Sequence, residues 1–137
     1  MAANRMGEAT EPTERIVMAS THHRLDYTEF AVTDLDRATA FYRAAFGWGF
    51  NAYGPGYAGI RADPAEAYPE VGGFRVDDEV AAGGPLCILY SDDLGASETS
   101  VVAAGGTIVE PAYDFPGGRR FHFRDPEGNV LAVWSAS

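Results

Sequence analysis

Hydrophobic residues follow two different periods along this chain, and the two periods alternate in a regular order. The segment from residue 25 to residue 32 contains aromatic and β-branched side chains, namely Tyr27, Thr28, Phe30 and Val32, which predicts a β-strand. Successive side chains of a strand point to opposite faces. Phe30 and Val32 are therefore expected on one face of this strand, with Tyr27 and Glu29 on the other.

A helix is predicted directly after this strand. From residue 35 to residue 46 the apolar side chains recur at intervals of three and four, which is typical of a helix with one buried stripe. Asp34 is the expected N-cap, because its carboxylate can accept from a free N–H of the first turn. Gly47 is expected to end the helix in a left-handed conformation. Three short strands should follow, at 49–53, 57–62 and 72–76.

The same order of elements returns in the second half of the chain. A strand is predicted at 86–91, and Asp93 opens a second helix 59 positions after Asp34 opens the first. Three further strands are predicted, at 107–113, 118–124 and 130–135. The chain therefore reads as a duplicated βαβββ unit, and two such units can cover each other where one cannot.

This repeat sets the predicted domain organisation. Residues 24–137 are expected to form one α+β domain, with the first repeat at 24–83 and the second at 84–137. Residues 1–23 show no hydrophobic period, so they are expected to form a flexible N-terminal arm. An arm that exchanges onto a partner subunit is the alternative.

The segment Asp125–Asn129 has the composition of a tight turn between two strands. Its proline fixes one φ, and its glycine and asparagine tolerate positive φ. In the strand before it, the period of two puts Phe121 and Phe123 on one face. His122 lies on the opposite face, together with Arg120.

Composition removes several classes of function. The formal net charge of −10 over 137 residues argues against binding to nucleic acid phosphates. A single cysteine, Cys87, excludes internal disulfides and a multi-cysteine zinc site, and it fits a reducing cytoplasm. No apolar run is long enough to span a bilayer.

Three phrases of the sequence, taken with the repeat, resemble the vicinal oxygen chelate superfamily, which includes glyoxalase I, extradiol dioxygenases and bleomycin-binding proteins. They are Val32-Thr33-Asp34-Leu35, Phe41-Tyr42-Arg43-Ala44-Ala45-Phe46-Gly47-Trp48 and Asp125-Pro126-Glu127-Gly128-Asn129. The resemblance covers roughly residues 24 to 135. It implies paired βαβββ modules whose curved mixed sheets surround a cavity, often completed by dimerisation, so a homodimer is expected.

The resemblance also implies four positions from which active members hold a divalent metal through His, Gln or Glu side chains. In this chain those positions fall on Tyr27, Gly73, Leu86 and Ala132. Three of the four side chains have no donor atom, and neutral tyrosine is a poor ligand for such a metal. We therefore expect neither a metal nor another cofactor.

Two titratable residues are candidates for acid–base chemistry. His122 occupies a position that the resemblance assigns to the cavity, and histidine titrates near neutral pH. Glu29 is expected to face the same cavity and to act with His122. The alternatives are a surface or structural histidine and a strand carboxylate neutralised by Arg120 or Arg124.

The remaining candidates are aromatic or cationic side chains expected to contact a ligand. Aromatic residues of this kind usually belong to the core, and an arginine at a strand end is usually solvated. The predicted ligand-binding residues are Tyr27, Trp48, Tyr53, Tyr57, Arg120 and Trp134.

Together these features favour a metal-independent protein that binds a small organic molecule, in the manner of bleomycin-binding proteins, with possible acid–base activity through Glu29 and His122. The alternative is a divalent-metal-dependent lyase or dioxygenase of the same superfamily. A third possibility is a module that assembles only with a partner protein.

Overall fold

The computed structural model describes residues 20–81 and 83–137. Most of the predicted N-terminal arm therefore lies outside the described residues. The elements are β1 (Thr28–Val32), α1 (Leu35–Phe46), β2 (Phe50–Ala52), β3 (Tyr57–Arg61), β4 (Glu70–Val76), β5 (Ile88–Tyr90), α2 (Leu94–Ala103), β6 (Thr107–Phe115), β7 (Gly118–Arg124) and β8 (Val130–Ser135).

Both halves build the same mixed sheet, as the repeat predicts. The first sheet has the order β1-β4-β3-β2 and the second has the order β5-β8-β7-β6. β1 runs parallel to β4 and β5 runs parallel to β8, and the other neighbouring strands are antiparallel. The α+β class and the paired βαβββ arrangement are thereby confirmed.

Strand register preserves the 59-residue offset. Glu29 lies opposite Gly73 in the first sheet, and Ile88 lies opposite Ala132 in the second. Ile88 and Ala132 follow Glu29 and Gly73, respectively, by 59 positions. The hairpin that follows the helix departs from this offset. Asn51 pairs with Gly59 in the first sheet, whereas Glu110 pairs with His122 in the second, so the second hairpin is four residues longer.

The helix ends lie where the capping residues predict them. The Asp34 carboxylate accepts from the backbone N–H of Arg37 at 3.0 Å, and Asp93 accepts from Ala96 at 3.1 Å. Gly47 has a left-handed φ of 72°, which ends α1 and lets its N–H bond back into the last turn.

One hydrophobic core joins the two repeats. It contains residues from both helices and from both sheets, on the sheet face that carries the aliphatic and phenyl side chains. Its members include Val32, Phe41, Tyr42, Phe74, Val101, Phe121, Phe123, Leu131 and Val133. The opposite face of each sheet, here called its outer face, carries polar and aromatic side chains that are partly exposed.

Of the helices in the described residues, neither has the combination of length and hydrophobicity that a membrane crossing needs.

The turn between β7 and β8 clamps the N-terminus of α1. The buried Glu127 carboxylate accepts from the backbone N–H groups of Thr33 and Asp34, at 2.6 and 3.0 Å. The Thr33 hydroxyl donates to it at 3.0 Å, and Arg37 Nε donates at 2.5 Å. An anion is favourable at this position, because the first N–H groups of a helix have no partners within the helix.

Two more residues of the same turn reach the first repeat. The Tyr42 hydroxyl donates to the Asp125 carboxylate at 2.8 Å, and Asn129 Nδ2 donates to the Ala31 carbonyl at 2.9 Å. Asp125 also accepts from two backbone N–H groups of its own turn. The turn is thus a polar link between repeats that are otherwise joined by hydrophobic contacts.

Replacing Glu127 tests this link. Burial by itself would raise the pKa of Glu127, but hydrogen bonds from Arg37, Asp34 and Thr33 outweigh it and lower the pKa below its usual value. Glu127→Ala is expected to lower the free energy of unfolding by roughly 2–4 kcal/mol, because buried N–H groups lose their acceptor. Glu127→Gln keeps an acceptor oxygen and should cost less.

The pH dependence of the free energy of unfolding separates the contribution of the Glu127 charge from that of its shape. A folded pKa below the unfolded value gives stability that is present above the unfolded pKa and lost as the pH falls through the folded pKa. The advantage of the wild-type chain over Glu127→Gln, measured by denaturant unfolding, should therefore disappear on acidification. An advantage that stayed constant down to about pH 3 would contradict the ionic role of Glu127.

Candidate functional site

The candidate site consists of the outer faces of the two sheets. The first outer face carries three tyrosines and two glutamates, and the second carries aromatic rings with an arginine and a histidine. The main side chains of the first are Tyr27, Glu29, Tyr53, Tyr57 and Glu70, and those of the second are Tyr90, Tyr113, Phe115, Arg120, His122 and Trp134.

Two glycines form the floor of the first outer face. Gly59 and Gly73 lie opposite each other on β3 and β4. A Cβ atom on Gly73 would lie 2.7 Å from the Tyr27 hydroxyl and closer still to that of Tyr57, and one on Gly59 would collide with the Glu70 carboxylate. The absence of side chains at these two positions lets the polar groups lie directly over the sheet.

Glu70 is the centre of one hydrogen-bond network on this floor. Its carboxylate accepts from the Tyr53 hydroxyl at 2.5 Å, from Asn51 Nδ2 at 2.8 Å and from the Tyr27 hydroxyl at 3.4 Å. Arg61 Nε donates to the amide oxygen of Asn51 at 2.9 Å, which orients that amide toward Glu70. The hydrogen bond to Glu70 raises the pKa of Tyr53, so this hydroxyl remains a donor.

Glu29 belongs to a neighbouring network. It accepts from the Tyr57 hydroxyl at 3.0 Å and from Arg75 Nε at 3.1 Å. The hydroxyls of Tyr57 and Tyr27 lie 2.8 Å apart. Burial, and then hydrogen bonding to Tyr27 and Glu29, raise the pKa of Tyr57. Glu29 is therefore neutralised by Arg75, a partner on β4 that the sequence had not suggested.

The second outer face presents a cation among aromatic rings. Arg120 Nε donates to the Tyr113 hydroxyl, and the guanidinium carbon lies 5.5 Å from the Tyr113 ring centroid and 5.4 Å from that of Phe115. Trp134 packs edge-on against Tyr90 and Phe115, with ring centroids 5.1 and 6.2 Å apart. These rings form a half-exposed platform around a cation.

His122 lies beside this platform. Its Nε2 is 2.9 Å from the Tyr113 hydroxyl. Burial, and then the positive charge of Arg120, lower the pKa of His122. Both effects favour the neutral form of the imidazole.

The structure separates some of the predicted site residues and groups others. Glu29 and His122 lie on different sheets, and no hydrogen bond or ion pair joins them within residues 20–81 and 83–137. Trp48 stacks on Tyr42 at 4.5 Å and packs against the core, away from the outer faces. Tyr27, Tyr53 and Tyr57 share the first outer face, and Arg120 and Trp134 share the second.

Sequence reasoning missed several members of the two networks. The predicted strands leave Glu70 in the connection between residues 62 and 72, make Tyr113 the last residue of the strand 107–113 and leave Phe115 outside it. The paired glycines at 59 and 73 were the available signal for Glu70, since glycine within a strand often marks a close approach by another group. No comparable signal identified Tyr113, because register shifts in β6 change which of its residues face Arg120.

The four positions implied for a metal do not form a ligand set. Gly73 and Ala132 have no donor atoms, and the space above Gly73 is filled by the hydroxyls of Tyr57 and Tyr27. Leu86 lies before β5 and is apolar. In the part of the chain that the structure describes, no three His, Cys, Asp or Glu side chains cluster as a metal would require. The family's metal therefore does not fit these residues.

Comparison with known proteins agrees with this architecture. A family profile described as the Glyoxalase/Bleomycin resistance protein/Dioxygenase superfamily matches residues 24–133. A glyoxylase-like domain-containing protein from Didymella fabae is 29% identical over 123 residues, covering 82% of this chain and 93% of the fungal protein.

Two solved structures show the same fold. A family enzyme from Burkholderia phytofirmans superposes with a TM-score of 0.68 at 21% identity, over 82% of this chain and 98% of its own. TnmS3, an antibiotic binding protein from a Streptomyces species, superposes with a TM-score of 0.62 at 20% identity, over 86% and 99%. By its profile match and its paired βαβββ sheets, the chain belongs to the glyoxalase/bleomycin resistance protein/dioxygenase superfamily.

Proposed function

We propose that this protein binds a small organic molecule on the outer faces of its sheets, without a metal ion. The observation that carries this proposal is the aromatic platform of Tyr90, Phe115 and Trp134 around the half-buried Arg120. Ligand sites commonly combine such apolar surface with a few placed polar groups.

Arg120 supports a role in orienting the ligand. The only hydrogen bond of its side chain among the described residues uses Nε, and no carboxylate of those residues lies within 4 Å of the guanidinium. The terminal N–H groups of the guanidinium are thus available to a carbonyl or carboxylate oxygen of a ligand that stacks on Trp134.

A homodimer is part of the proposal. The outer faces leave large side chains exposed, among them Tyr27 at 42%, Ile88 at 44% and Tyr90 at 56% of their surface. A second copy that covered these faces would enclose a ligand and remove apolar surface from water. A cytoplasmic location, which the single cysteine favours, belongs to the same proposal.

Binding is favoured over metal-dependent catalysis for two reasons. Gly73, Leu86 and Ala132 offer no donor atoms for a catalytic metal, and the space above Gly73 is filled by the Tyr27 and Tyr57 hydroxyls. An acid–base role for Glu29 and His122 is a secondary proposal. It requires an arrangement, such as the dimer, that brings the two outer faces around one ligand.

Tryptophan fluorescence tests binding at the platform. The chain has two tryptophans, so Trp48→Phe leaves Trp134 as the only indole. In this variant, at least one member of a panel of soluble planar quinones, aromatic amides and aromatic amines should quench the emission, because it stacks on Trp134. Trp134→Phe, which retains the half-buried Trp48, should show much weaker quenching. A panel without effect on Trp134 at about 1 mM, the weak limit of specific affinity, would contradict the proposal.

Metal analysis tests the alternative lyase or dioxygenase. Protein purified without chelators and exposed to Ni²⁺, Zn²⁺, Mn²⁺ or Fe²⁺ should retain less than one ion per chain after dialysis, and its melting temperature should not change. One ion per chain, lost in Glu29→Ala or His122→Ala but kept in the exposed control Glu79→Ala, would favour the metal-dependent enzyme.

An NMR titration tests the state of His122 that the acid–base role needs. The pKa of His122 should lie below its ordinary value, about 6.5. Arg120→Gln should raise the pKa, because a nearby positive charge disfavours the imidazolium, although burial will keep the pKa from recovering fully. Arg124→Gln, on the same strand, is the control and should change it less. An elevated pKa in the wild-type protein would exclude neutral His122 as a general base at pH 7.

A further inference from the structure

Glu70 is a half-buried carboxylate on the first outer face that, unlike its neighbour Glu29, has no cationic partner within the described residues. Glu29, Asp114 and Glu127 each form an ion pair with an arginine. Within the described residues, no Lys, Arg or His nitrogen lies within 4 Å of the Glu70 carboxylate. Its three donors, two tyrosine hydroxyls and one amide, are all neutral.

The side chain is also partly removed from water. Glu70 is half-buried, and its carboxylate lies over Gly59 near the middle of the first outer face. Neutral donors fix its position but leave its negative charge uncompensated. A partly desolvated charge of this kind attracts a cation more strongly than a solvated one does.

Tyrosine rings surround this carboxylate. Tyr27 and Tyr53 both donate to Glu70, and the hydroxyl of Tyr68 lies 3.3 Å from that of Tyr53. The rings of Tyr53 and Tyr57 are 6.3 Å apart between centroids, inclined at 51°. Tyr27, Tyr53 and Tyr68 keep 42, 49 and 49% of their surface exposed, so their ring faces remain available.

A recess of about 410 Å³ opens beside Glu70 and Tyr68. Its other lining residues include Leu25 and Asp26, which add an apolar wall and a second acidic side chain. The volume lies within the range of small-molecule sites. The formal net charge of −10 adds a favourable long-range potential for a positively charged ligand.

We propose that Glu70 and the tyrosines around it, Tyr27, Tyr53 and Tyr68, recognise a cationic nitrogen of the ligand, either an ammonium or an N-methylated ammonium group. This inference rests on the proposed function and specifies the chemical class of its ligand. The carboxylate supplies the charge partner, and the ring faces supply cation–π attraction. In the proposed dimer, which brings the two outer faces around one ligand, Arg120 is then suited to an oxygen at another part of the same molecule.

Three probes of similar size and different charge test this inference on the full-length protein. They are benzyltrimethylammonium, neutral benzyl alcohol and anionic phenylacetate, each titrated while the NMR signals of the tyrosine rings are followed. The cation should bind most tightly and shift the rings of Tyr27 and Tyr53. Its affinity should fall as salt is added, because salt screens the attraction to Glu70.

Two pairs of variants assign the effect to charge and to ring. Glu70→Gln keeps the shape and one acceptor oxygen, and it should weaken binding of the cation about tenfold, since a charged partner is lost. Glu79→Gln, at an exposed position beyond the end of β4, makes the same change in net charge and should leave the affinity unchanged. Tyr53→Leu should weaken binding about three- to fivefold, whereas Tyr53→Phe keeps the ring, loses one of the three donors to Glu70 and should weaken binding less.

The outcomes separate this inference from the proposed function. Equal binding of benzyl alcohol and the cation, or an equal effect of Glu70→Gln and Glu79→Gln, would overturn the cation site even if aromatic compounds still quench Trp134. Absence of both Trp134 quenching and cation binding would overturn both proposals. Should Glu70→Gln fail to fold, the comparison of Tyr53→Leu with Tyr53→Phe still decides the result.

Discussion

The fold depends on one buried carboxylate that connects its two halves. Glu127 belongs to the last turn of the second repeat, yet its hydrogen bonds go to Thr33, Asp34 and Arg37 at the N-terminus of α1 in the first repeat, 90 or more positions earlier in the chain. Its burial is tolerated because the N-terminus of a helix supplies unpaired N–H groups and Arg37 supplies a charge. The hydrophobic core holds the repeats together without strong directionality, and this turn fixes how they meet.

One face of each sheet packs in the core, and the two outer faces differ from each other in their side chains. Backbone register preserves the repeat, since Glu29 corresponds to Ile88 and Gly73 to Ala132. The side chains at these positions share no chemistry. The first face is acidic and rich in hydroxyl groups, whereas the second is aromatic with a cation. A ligand that contacts both faces therefore meets two unlike surfaces, which favours a molecule with an aromatic part and distinct polar ends.

Two glycines make room for the polar groups of the first outer face. At Gly73, one of the four positions that the family resemblance assigns to a metal ligand, there is no side chain, and the hydroxyls of Tyr27 and Tyr57 occupy the space. Gly59 holds the same place in the first sheet as His122 does in the second, because Gly59 pairs with Asn51 and His122 pairs with Glu110, which lies 59 positions after Asn51. The Glu70 carboxylate occupies the space above Gly59. Polar side chains held over bare backbone give a rigid, hydrogen-bonded floor, and such a floor suits recognition of a ligand better than it suits coordination of an ion.

The sequence by itself determined the features that depend on local order. The caps at Asp34, Gly47 and Asp93, the alternation along β7 and the 59-residue repeat all follow from neighbours within a few positions or from a regular offset. Only the tertiary structure decided that Glu29 pairs with Arg75, that Glu70 lacks a cation within the described residues, and that Trp48 packs inward. Contacts across 43 residues, as between Tyr27 and Glu70, depend on strand order and bulges, and no local pattern specifies which side chains those will bring together.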